Sequence, residues 1–209
     1  APRHQVFEAA LWMAVEDLPR VAQIKISPQR MARFREEVMA GEEQQVGVVE
    51  FLHPRIEEIC GIMPARLGAY MQQAPLWRRL LGRLAKPRNL RTNSVHGFVM
   101  LYLLAKMRRF RRASLVYRHE HEQIDAWLEA INRAAPSNEQ LALELALCGR
   151  LVKGYGKTRE RGTGNVRRIL ALVRQCPDLS ADSVKSLREA ALAEEKGAEF
   201  AALERELLA

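Results

Sequence analysis

An all-α chain, folded as a single irregular multi-helix domain, is the class this sequence predicts. Ala and Leu supply most of an apolar content of 48%, while aromatics make up only 6%, a balance that favours helices over sheets. Cap residues and prolines recur at helical spacing along the whole chain. Strand-like character is confined to one short run.

The elements follow in order. "VFEAALWMAVEDL" sets Val6, Ala10, Met13 and Ala14 on one helical face, and Asp17 with Pro19 starts a new turn. "SPQRMARFREEVMAG" has Ser27 as N-cap, Pro28 at the first position and Gly41 as its end. "VGVVEFL" (46–52) is the one strand candidate, and "HPRIEEIC" resumes a helix at Pro54. Pro64 and Pro75 open "ARLGAYMQQ" and "LWRRLLGRL", and "KPRNLRTNS" (86–94) reads as a polar connector before "VHGFVMLYLLAKM". After the basic "KMRRFRR", a helix starts at Ser114 and stops near Pro136. "NEQLALELALCGRLVK" ends at Gly154, "GNVRRILALVRQC" starts near Asn165 and stops at Pro177, and the tail from Ser180 gives helices broken near Gly197.

Composition bounds the function. The 209 residues suffice for one sizeable domain, and no apolar run reaches the ~18–20 residues of a membrane span. The chain opens "APRHQ", with no initiator Met and no leader, inside an amphipathic segment. Residues 1–209 therefore read as one helical domain, a fragment of a longer cytoplasmic polypeptide. Cys60, Cys148 and Cys176 are scattered, as reduced core thiols are, and too few for an iron–sulfur cluster. The formal charge of +8 suits anionic ligands, acidic partner surfaces or nucleic acid without selecting among them.

The stretch "LVKGYGKTRERGTGN" (151–165) looks like a phosphate-binding loop, but its spacing fails G-x-x-x-x-G-K-[ST] in either register. With Gly154 ending one helix and Asn165 beginning the next, it reads as a long ordered loop. Lys153, Lys157, Arg159, Arg161 and Arg168 crowd around it, and Gly154, Gly156, Gly162 and Gly164 let backbone N–H groups converge on an anion. Tyr155 offers a packing face and Thr158 a hydroxyl. Docking onto acids such as Glu16 and Asp17 is the competing reading. His53, Arg55 and Glu57 form a second cluster at a helix start, read first as capping and ion pairing and second as a base. His119 and His121 stand at i and i+2, on nearly opposite sides of a helix, which does not suit a metal. In the basic runs "WRRLLGRLAKPRNLR" and "KMRRFRR" arginines alternate with core-type residues, so covering apolar surface comes before nucleic-acid binding.

The same 151–165 stretch resembles a "RLVKGYGDTHxRGxxN"-like segment near the C-terminus of the indolepyruvate oxidoreductase beta-subunit family. "LWMAVEDLPRVAQIK", "RMARFREEV", "EFLHPRIEEICGIMPARLG" and "RRASLVYRHEHEQIDAWLEAI" are similar to segments upstream, in the same order over nearly the whole chain. This chain has Lys157 where that pattern has an acid, and Arg159 where it has His. The resemblance implies an enzyme that oxidatively decarboxylates arylpyruvates with thiamine diphosphate, iron–sulfur clusters and coenzyme A. It also implies that the fragment itself holds no cofactor. Its partners would be an N-terminal catalytic-type domain of its own subunit and a thiamine-binding subunit.

The residues agree with that limited role, since they show no cluster cysteines, no dinucleotide fingerprint and no nucleophile–base pair. The expectation is an accessory domain, serving assembly or anion binding and inactive alone. The alternatives are a basic nucleic-acid-binding helical module and an independent enzyme with an unrecognised pocket.

Overall fold

The computed structural model describes residues 12, 17–41, 43–52, 54–154, 156–176, 178–193 and 197–208. The all-α expectation holds: helices dominate, with one small two-stranded sheet among the described residues. The helix expected over 6–14 lies outside the described residues, Trp12 apart. Internal contacts divide the chain into two compact units, Asp17–His119 and Ala1–Glu16 with Glu120–Ala209.

In the Asp17–His119 unit, α1 (Leu18–Lys25) is capped by the Asp17 carboxylate, which accepts from the Arg20 N–H at 3.0 Å. α2 (Pro28–Glu37) follows Ser27, as the Ser-Pro signal requires. It ends at Glu37, not at Gly41, and Met39 takes the left-handed φ of 52°. β1 (Val49–Leu52) falls within the expected strand. It pairs antiparallel with β2 (Arg88–Arg91), in the register Glu50 opposite Leu90. The polar connector expected at 86–94 is thus partly strand, because an edge of unpaired amides at β1 needs a partner whatever the local propensity.

α3 (Ile56–Gly61), α4 (Ala65–Gln73) and α5 (Pro75–Leu84) bury Cys60, Met71 and Leu81 in one small cluster. α6 (Val95–Lys106), capped by Ser94, packs with Ala22 of α1 and Leu90 of β2 through Leu101 in another. A 3₁₀ turn over Met107–Ala113 leads to α7 (Leu115–Ala134). Among the described residues, Glu50 is the buried charge of this unit. Lys25 pairs with it, and Arg30 Nη1 approaches to 2.5 Å. Burial pushes its carboxyl up, but the hydrogen bonds and charges of Lys25 and Arg30 outweigh that and hold it below its ordinary value.

The other unit has the larger core. α7 contributes Ile124, Trp127, Ile131 and Ala134 at helical spacing. α8 (Glu139–Leu147), capped by Asn138, contributes Leu141 and Leu145, and the Trp127 indole N–H donates to the Leu145 carbonyl at 2.7 Å. After a 3₁₀ turn (Cys148–Leu151) come α9 (Lys157–Gln175), α10 (Ala181–Ala193) and α11 (Ala198–Leu208). They bury Ile169, Leu172, Val184, Leu187 and Phe200 completely or nearly so. Each such side chain contributes about 1.5–3 kcal/mol of transfer free energy. Gly197, at φ 70°, precedes α11, where the break in the tail was expected.

Candidate functional site

The glycine-rich stretch is not a long loop. α9 begins at Lys157, eight residues before the expected start at Asn165, and the connection from the preceding 3₁₀ turn is short. Its glycines serve three different ends. Gly154 and Gly156 take φ of 76° and 55°, which lets the chain reverse into the helix. Gly162 is inside α9, where an added Cβ would meet the Leu151 carbonyl oxygen at 2.0 Å. Gly164 is also helical, and a Cβ there would meet nothing within 4 Å. No cradle of converging glycine amides forms from Gly162 and Gly164, whose N–H groups belong to the helix.

The cations are redistributed as well. Arg159 is buried: its Nη2 donates to Glu120 Oε1 at 2.9 Å and to the Trp12 carbonyl at 3.1 Å. Arg168 makes a two-point pair with Glu204 and lies 4.5 Å over the Phe200 ring. That hydrogen bond raises the Arg168 pKa and lowers that of Glu204. Asn165 is buried in the middle of α9. Lys153 and Lys157 are exposed, Arg161 and Thr158 are half-buried, and Tyr155 lies outside the described residues. The expected long loop is corrected to a helix start, and Arg159 points inward to a carboxylate. Burial decides this, because a desolvated guanidinium requires an opposite charge. Of the two acids weighed as its dock, Glu16 lies outside the described residues and Asp17 takes Arg111 at 3.2 Å.

The second cluster also resolves differently. His53 lies outside the described residues. Arg55 Nε donates to Glu58 Oε1 at 2.9 Å, and Glu58 accepts from the Arg55 backbone N–H, so the pair closes the start of α3. Glu57 is exposed; burial and then the Glu57 charge raise the Cys60 thiol. Burial pushes the Cys148 thiol up to about 12, so it stays protonated at neutral pH. The chain's three cysteines therefore do not fit an iron–sulfur cluster, which takes four thiolates. Among the described residues no three His, Cys, Asp or Glu are grouped to hold a metal, and no helix is long and apolar enough to cross a membrane.

A different feature emerges in the Asp17–His119 unit. Gln23, Ile26, Tyr102, Ala105, Lys106, Arg108 and Arg109 line an open groove of about 540 Å³ between α1, α6 and the 3₁₀ turn. Arg20 Nη1 and Arg108 Nη1 both donate to Gln23 Oε1, at 2.8 and 3.1 Å. Lys106 Nζ lies 5.1 Å over the Tyr102 ring, which stacks on Phe98 at 6.2 Å. Among the described residues, the lining of the groove holds three cations and no acid. The basic run "KMRRFRR" signalled half of it, but nothing local in the sequence announces the α1 wall.

A family model described as a family of unknown function, DUF6537, matches residues 5–172. The chain belongs to that family. The DUF6537 match takes in both the groove and the Arg159–Glu120 pair, and stops short of α10 and α11. Comparison with curated proteins and with solved structures found no match.

Charge is unevenly divided in this DUF6537 chain. The Asp17–His119 unit carries 19 Lys and Arg against 8 Asp and Glu, a net of +11, so the other unit carries −3 of the total +8. Exposed apolar side chains are divided the same way: of nineteen large ones among the described residues, sixteen lie in the Asp17–His119 unit.

Proposed function

We propose that this chain is an accessory domain of an oxidoreductase subunit of the indolepyruvate type that its sequence resembles, and that it serves assembly, not catalysis. One observation carries the assembly role: net charge of +11 and sixteen of nineteen exposed large hydrophobics coincide in one unit. Exposed apolar side chains concentrated in this way are what an interaction surface provides. Among the described residues, the same unit buries two small clusters of its own, each of three buried apolar residues. The buried ionisable groups are used internally, as Glu50 with Lys25 and Arg30, Glu120 with Arg159, and Glu144 with Arg188. Pairs of this type fix helices to one another and leave little proton-transfer capacity. Thiamine diphosphate, clusters and coenzyme A belong, in this reading, to the partner domains.

Coexpression with the thiamine-binding subunit tests the proposal. A complex on size exclusion that weakens steeply with salt is expected, since the contact is electrostatic in part. Separate elution of the two proteins at low salt is the contrary outcome.

A further inference from the structure

α6 is apolar on more sides than the unit can bury. Leu101 faces the core, yet Val95, Phe98, Val99, Tyr102 and Leu103 are all exposed, Val95 at 84% and Leu103 at 61%. A helix on the surface of a finished protein keeps one apolar stripe, and one apolar all round is covered all round. From Val95 to Ala113 the chain has five Lys and Arg and no acid. At the head of the groove, Arg20 and Arg108 converge on Gln23, whose neutral amide satisfies their donors without cancelling their charge.

The geometry points to α6 and the basic turn after it as the docking surface for a protein whose contact face is apolar and ringed by carboxylates. This rests on the assembly reading only for the partner's identity, as a subunit of the same enzyme. A second copy docking through the same face is disfavoured, because it would set two units of net +11 against each other. A bilayer is flat and leaves the concave groove unfilled, whereas a partner's side chains fill it. Nucleic acid gains from stacking platforms, which Phe98 and Tyr102 offer, but the aliphatic Val95, Val99 and Leu103 beside them give a base nothing to stack on and suit the apolar side chains of a protein.

The test places the photo-crosslinker p-benzoylphenylalanine at Leu103, and in a control at Leu143, which is 47% exposed in the other unit. Each variant is made in the full gene product within its own cells. Crosslinks from position 103, and not from 143, to an Asp- and Glu-rich protein surface are expected. Arg108→Glu with Arg109→Glu should cut their yield at least fivefold while the melting temperature stays unchanged. Crosslinks only to lipid, nucleic acid or a second copy, or none above the level at 143, overturn the proposal. If position 103 captures an acidic protein foreign to any oxidoreductase, the docking surface stands and the assembly reading falls. If an oxidoreductase subunit is captured from 143 alone, the reverse holds.

Discussion

Gly162 and Gly164 lie two residues apart in the same helix, and alanine at each should move stability in opposite directions. At Gly164 the added methyl meets nothing within 4 Å, so only backbone entropy changes, and Ala should stabilise by roughly 0.5–1 kcal/mol. At Gly162 the same methyl lies 2.0 Å from the Leu151 carbonyl oxygen and 2.9 Å from its carbon. Both atoms are backbone, and they belong to the turn that positions α9, so no side-chain rotation relieves the clash. A separation of at least about 3 Å is needed, which means moving α9 or the turn by about 1 Å. Overpacking of this kind costs roughly 1–3 kcal/mol, which outweighs the gain in propensity. Urea unfolding followed by tryptophan fluorescence, in a Trp77→Phe background, reports on this unit through Trp12 and Trp127, whose rings meet edge-on at 5.5 Å. A midpoint raised by Gly164→Ala and lowered by Gly162→Ala is the expected pair. Equal effects, or a stabilising Gly162→Ala, would refute the helical packing and return the stretch to a loop.

Glu120→Gln leaves Arg159 charged and buried, and should cost about 3–5 kcal/mol; the joint Glu120→Leu, Arg159→Met variant should recover most of that in the same unfolding assay. Glu50 titrates below its ordinary value of 4.5, so the stability it contributes is complete above that pH and is lost as pH falls through the lower, folded-state value. An acid titration followed by circular dichroism should therefore be shallower below pH 4.5 for Glu50→Gln than for the wild type. Cys60 and Cys148 are fully buried with raised thiols, so a disulfide reagent at pH 8 should modify only Cys176 before unfolding; rapid loss of two or three thiols would contradict the packing.

What could be read from the sequence was what is local. Ser27 caps α2 through its own side chain where the Ser-Pro signal put it, and Ser94 and Asn138 cap α6 and α8 in the same local way. β2 was hidden because "RNLR" has no strand pattern, and only its pairing with β1 makes it a strand. The start of α9 was misread because two glycines, each a penalty of about 1 kcal/mol in a helix, look like loop residues. Burial of Arg159 against Glu120 and of Val166, Ile169 and Leu172 in the core outweighs that penalty, and neither contact is local. The division into two units leaves no linker signal, because its boundary falls within α7, between His119 and Glu120. The groove went unseen for the same reason: Gln23 and Arg108 are 85 residues apart.

The central claim is that this chain meets its partner through residues 95–110 while the glycine-rich segment is internal scaffold. Hydrogen exchange read by mass spectrometry, on the chain alone and on the chain bound to the protein captured through position 103, tests both halves together. Exchange over 95–110 should slow on assembly, while residues 158–172 should be protected to the same degree in both states. Rapid exchange over 153–165 in the free chain that slows on assembly, with no change over 95–110, would contradict the account.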